Sequence, residues 1–112
     1  MPQYLLLLHE DPAHVASHGP EEMQRILDRY LAWSGELRAA NRIRGGEKLR
    51  DEGGRHIRAG GAVTDGPYVE GKEVLGGFFV IEAADYDDAV SVARECPHLA
   101  HGWVEVREID PT

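Results

Sequence analysis

Lys72-Glu73-Val74-Leu75-Gly76-Gly77-Phe78-Phe79-Val80-Ile81 decides how the rest of the chain is read. Four bulky apolar residues in succession, Phe78 to Ile81, predict a strand over Leu75–Ala83 that is buried on both faces. Just upstream, Val63-Thr64-Asp65-Gly66-Pro67-Tyr68 contains an Asp-Gly-Pro turn that sets an isolated carboxylate ahead of this strand.

Downstream, Asp85 is placed to cap a helix, with Asp87 and Asp88 in its first turn and Ala89, Val90, Val92, Ala93 and Cys96 on its apolar face. Pro97 and Gly102 bracket a loop, and Trp103–Ile109 alternates apolar and charged residues as a closing strand. At the other end, Gln3–His9 is an apolar strand stopped by Glu10, Asp11 and Pro12. A loop over residues 11–19 leads to Pro20, which opens a long helix with Glu21 and Glu22 at its positive end. Met23, Ile26, Leu27, Tyr30, Leu31, Trp33 and Leu37 form its apolar stripe. Gly35 weakens that helix by about 1 kcal/mol relative to Ala, so a closely packed neighbour is expected there. Gly45-Gly46 is read as its end, followed by short strands near Gly46–Leu49 and Arg55–Val63 with a turn at residues 51–54.

Strand, helix, two or more strands, helix, strand is the split βαβ order of a ferredoxin-like α+β domain, with an antiparallel sheet backed by two helices and residues 1–112 forming one domain. Two helices cover one face of such a sheet. If Phe78–Ile81 is buried on both sides, a second copy of the chain is the simplest cover, which predicts a homodimer.

Composition narrows the function classes. The 112 residues carry 20 acidic and 12 basic side chains, a net charge of −8. Lys48 and Lys72 are the only lysines and no basic cluster interrupts the acidic surface, so nucleic acid and anionic membrane are excluded as partners. One cysteine, Cys96, allows no intrachain disulfide, and no basic leader precedes Leu5–Leu8; a cytoplasmic protein is expected. No segment approaches the ~18 apolar residues of a membrane span.

The N-terminal apolar strand, the long first helix, Asp65-Gly66-Pro67, Lys72-Glu73, Gly76-Gly77 and Val104-Glu105-Val106-Arg107 together resemble the YCII-related family, in particular its DGPF branch, with Tyr68 where that branch has Phe. The resemblance spans nearly the whole chain. It implies a dimeric α+β barrel and, in some relatives, a His–Asp pair. The family's helix-borne histidine falls at Tyr30 here.

Six histidines invite proton transfer or metal binding, and the topology collects His9, His14, His18, His98 and His101 at one sheet end, with His56 elsewhere. Neither His14–His18 nor His98–His101 has a recognised metal spacing; His14, His18 and His101 are read as solvated, and no metal or other cofactor is expected. Asp65 is either a turn former or a carboxylate held at a cleft edge. Asp65 and His98 are the catalytic candidates, and His9, Glu47, Arg58 and Lys72 the substrate-binding ones. No phosphate loop or nucleophile elbow is present, and Cys96 lacks an activating positive field. The expectation is a cofactor-free enzyme using His/Asp acid–base chemistry on a small organic molecule. The alternative is a non-catalytic module for ligand binding or regulatory protein interaction.

Overall fold

The computed structural model describes residues 1–66 and 73–112. The strands are β1 (Gln3–Glu10), β2 (Ile43–Lys48), β3 (Arg55–Ile57), β4 (Val63–Asp65), β5 (Val74–Glu82) and β6 (Gly102–Glu108). The helices are α1 (Pro12–Ala16), α2 (Pro20–Ala39) and α3 (Tyr86–Arg94), with a 3-10 turn at Pro97–Ala100. Four strands form one sheet in the order β2-β5-β1-β6 with antiparallel neighbours, and β3 and β4 form a separate hairpin. This is the expected ferredoxin-like arrangement.

Local chemistry sets the element ends. The Asp11 side chain accepts from the Ala13 amide at 2.9 Å and nucleates α1, a helix where the sequence reading placed a loop. Asp85 Oδ1 accepts from the Asp88 amide at 2.8 Å, as expected for the cap of α3. Helix α2 ends before Asn41, whose positive φ of 58° breaks the helical path, so Gly45 and Gly46 belong to β2 rather than to a helix end. No atom lies within 4 Å of a Cβ built on Gly35, so the close neighbour expected there is absent among the described residues.

The core is one-sided. Strand β1 alternates strictly: Tyr4, Leu6, Leu8 and Glu10 are buried, while Gln3, Leu5, Leu7 and His9 are half-buried. The buried set packs with Trp33 and Leu37 of α2, Ala89, Val92 and Ala93 of α3, Ile81, Ala83 and Cys96. Trp33 seals this layer by donating to the Val92 carbonyl at 3.2 Å and meeting Phe79 edge to face. On the reverse face, Leu5 lies opposite Val80 and Leu7 opposite Phe78, with none of the helices against them. Within one chain, strand β5 is therefore covered by helices on one face only. The slab is 19 Å thick, the depth of one helix layer on one sheet, and its radius of gyration of 15.4 Å exceeds the about 13 Å of a compact chain this long.

Candidate active site

Strand β1 does not stop at His9. Its alternation carries Glu10 into the same buried row as Leu8, so a carboxyl enters the helix-covered side of the sheet. Strand β5 makes room for it. The pairing shifts by one residue, from Leu8 opposite Gly77 to His9 opposite Leu75, and Gly76 lies at the bulge. A Cβ on Gly76 would collide with Glu10 Oε1, so the carboxyl fills the space that a side chain would occupy.

The 3-10 turn brings His98 to the same place, 3% exposed. Its Nε2 lies 2.8 Å from the His9 carbonyl oxygen, and its Nδ1 lies 2.9 Å from the Tyr30 hydroxyl. A carbonyl only accepts, so Nε2 carries the proton; Nδ1 accordingly accepts from Tyr30. Glycine is required at 102 because a Cβ would strike the His9 carbonyl and His98 Nε2. Burial lowers the pKa of His98, and burial also raises that of Tyr30, so the pair rests in its neutral form at neutral pH.

His101 closes the cluster. Its Nε2 stands 3.8 Å from Glu10 Oε2, and its side chain is 5% exposed. Burial lowers its pKa to about 4, with nearby His98, His18, His14 and Lys48 acting in the same direction. His14, His18, His101 and His98 form an edge-to-face chain of rings with centroids 5.3, 5.7 and 4.8 Å apart. His101 and His18 are thus packed side chains, not the solvated ones the sequence reading made them.

These groups form the polar end of a cavity of about 400 Å³ between α2 and the sheet. Leu8, Ile26 and Phe79 line its depth, and Met23, Leu27 and Leu31, all partly exposed, its α2 side. Lys48 approaches from β2, with Nζ 4.0 Å from Glu10 Oε1. Volume and composition match a small-molecule site with a few convergent polar groups.

The expected site residues fare unequally. His98 and Glu47 line the cavity. The His9 ring faces the other side of the sheet, stacked on Trp103 and 3.0 Å from Glu105; only its carbonyl reaches the cavity cluster. Asp65 sits on the β3–β4 hairpin with its side chain 92% exposed and 3.5 Å from Arg55. Neither Asp65 nor Arg58 lines the cavity, so Asp65 and His98 are not brought together. Lys72, Tyr68 and the Pro67 end of the turn fall outside the described residues. Glu10, Tyr30 and His101 were missed as site residues. For Glu10 the sequence signal is weak: it directly follows the apolar run Leu5–Leu8 and His9, but four leucines in succession do not say which face of the strand it takes. Cys96 is buried and its thiol is pushed up to about 11 by desolvation, consistent with an inert core residue.

No helix among the described residues is long and apolar enough to cross a membrane. An uncharacterised protein of Rhizobium meliloti (strain 1021) is 29% identical over 117 residues, covering 95% of this chain and 90% of that protein. The 5-chloro-2-hydroxyhydroquinone dehydrochlorinase of Burkholderia phenoliruptrix AC1100, solved with 2,5-dihydroxybenzoquinone, has a similar fold: TM-score 0.52, 18% identity, 96% of this chain and 93% of that one covered. The model of the YCII-related domain matches residues 2–112, and the chain belongs to that family.

Proposed function

We propose that this protein is an enzyme that moves a proton on a small, largely apolar organic molecule without a resident cofactor. The carrying observation is the Tyr30–His98–His9 carbonyl relay at the polar end of the cavity. A substrate hydroxyl or acidified C–H gives its proton to Tyr30 Oη as the Tyr30 proton passes to His98 Nδ1. Tyr30 stays neutral throughout, which its raised pKa demands. His98 becomes an imidazolium with both N–H groups already partnered, and the Glu10 carboxyl stands close enough to favour that charge. The electron pair left on the substrate either expels a leaving group or takes a proton back at another atom. Lys48 at the rim is placed to attract the anion.

The dehydrochlorinase with the similar fold is named for loss of HCl, a reaction of this class, and that likeness supports the chemistry by analogy alone. The same reading takes the uncovered face, with Leu5, Leu7, Phe78 and Val80 at its centre, as the interface of a homodimer in the cytoplasm. Placement in the DGPF branch rests on Asp65-Gly66-Pro67.

The test is a thermal-shift screen against small hydroxylated and halogenated organic molecules, followed by turnover assays of each hit. The expected result is a shift lost in His98→Ala and Tyr30→Phe but kept in Asp65→Ala, with turnover of the hit. A shift that survives both cavity changes contradicts the site. Binding without turnover favours the non-catalytic module.

A further inference from the structure

The cluster that ends the cavity also has the composition of a metal site. One potential ligand atom each from Glu10, His98 and His101 lies within 4.8 Å of the others. Two imidazoles and a carboxylate suit zinc and its first-row neighbours. Three further features converge on it.

First, His98 is already oriented as metal-binding histidines are. One ring N–H is fixed on a backbone carbonyl, that of His9, so the free electron pair is confined to Nδ1. Second, His101 Nδ1 is buried with no hydrogen-bond partner among the described residues, and so is Nε2 of the adjacent His18. His18 Nδ1 lies 3.0 Å from Glu22 Oε1, and a neutral ring with its proton facing that carboxylate leaves Nε2 as an acceptor. An ion on His101 Nε2 fixes the proton on His101 Nδ1, turning that unpartnered nitrogen into a donor beside the unpartnered acceptor. Third, Glu10 is held under Gly76 with its side chain 6% exposed, so its carboxyl cannot swing out to water.

We propose that Glu10, His98 and His101 bind one divalent zinc-class ion at the polar end of the cavity. An ion 2.0–2.2 Å from each ligand needs them about 3–3.5 Å apart, so loading draws together ligand atoms that lie within 4.8 Å of one another. Three protein ligands leave a further position facing the cavity. His98 Nδ1 cannot serve the ion and Tyr30 together, so loading breaks the Tyr30–His98 hydrogen bond. The ion and the proton relay are therefore mutually exclusive states of one site, and zinc inhibits any activity that runs through Tyr30.

The experiment titrates untagged, chelator-stripped protein with Zn²⁺ by calorimetry, then with Co²⁺ to read the ligand field from its visible absorption. The wild type is expected to bind one ion per chain. Glu10→Gln and His101→Ala are expected to weaken binding by more than the about 10- to 100-fold that loss of an outer partner costs. Circular dichroism of each variant verifies the fold. Tyr30→Phe, which destroys the relay but removes the competitor for His98 Nδ1, is expected to bind at least as tightly as wild type. Failure of the acid–base reading thus leaves this result intact, and the reverse. No binding to folded wild type overturns the proposal. So does binding that persists unchanged in Glu10→Gln and His101→Ala but is lost in His14→Ala, which would put the ion on the outer histidines.

Discussion

The two faces of the sheet are built from the same strands by alternation, and they have opposite fates. On the helix side, Tyr4, Leu6, Leu8 and Glu10 descend β1 into a packed layer that opens into a cavity with a polar end. On the other side, Leu5, Leu7 and His9 descend the same strand beside Phe78 and Val80, with no helix of the described residues over them. The lesson is that one residue of register separates a buried carboxyl at position 10 from an exposed-face imidazole at position 9. The proposed function belongs to the covered face and the proposed assembly to the bare one, and each proposal can be broken separately.

The largest effect is expected on the bare face. Leu7→Asp places a charge opposite Phe78, at the centre of the proposed interface. Each buried leucine contributes about 1.5–3 kcal/mol, and a twofold interface contains the site twice. Sedimentation should show a dimer for wild type and at least a ~1000-fold weaker association for the variant, about 4 kcal/mol. A monomeric wild type at micromolar concentration breaks this half of the comparison while leaving the cavity untouched.

On the covered face, Gly76→Ala drives a methyl group into the Glu10 carboxyl. Overpacking of this kind costs about 1–3 kcal/mol, to be read by denaturant unfolding, and ligand binding at the cavity should fall with it. Stability unchanged in Gly76→Ala would show that Glu10 is not held where the structure has it.

The histidine cluster gives a pH signature of similar or smaller size. His101 stays neutral in the folded chain down to about 4, whereas the unfolded histidine protonates near its ordinary 6.5. Its contribution is therefore complete above pH 6.5 and lost as pH falls from 6.5 to 4. His98, also lowered by burial, acts in the same direction. The groups that face His101 are Glu10, His98, His18, His14 and Lys48. With chelator present, the loss is expected to be on the order of 2 kcal/mol after allowance for solvent screening. His101→Leu should flatten the profile, and an unchanged slope would move the titration elsewhere.

What the sequence made legible follows from how local the signals are. The order of elements, the apolar run of β1, the Asp85 cap and the alternation of β6 are written in neighbouring residues, and the fold was readable from them. The site was not, because its members meet only through the sheet: Glu10 comes from β1 and Tyr30 from α2, but His98 and His101 arrive 68 residues or more later along the chain. Asp65 misled for the converse reason. Its Asp-Gly-Pro context is a strong local signal, and it describes a turn on an exposed hairpin, not a partner for His98. His9 misled by one residue: the ring is on the bare face, and only the backbone of that position serves the site.

The smallest effect is accordingly expected at Asp65. Its ion pair with Arg55 is solvent-exposed, so Asp65→Ala should change stability by less than about 0.5 kcal/mol and leave cavity ligands bound as before. A large loss of binding there would return the carboxylate to the site.

The central claim is that His98 waits as a neutral Nε2–H tautomer with Nδ1 accepting from Tyr30. Nitrogen-15 NMR of the histidine side chains, recorded at neutral pH with chelator present, reads this state directly. The account predicts a protonated Nε2 and an unprotonated, hydrogen-bonded Nδ1 at His98, with the Nδ1 resonance moving in Tyr30→Phe. A protonated Nδ1 at neutral pH, or a spectrum indifferent to Tyr30→Phe, would contradict it.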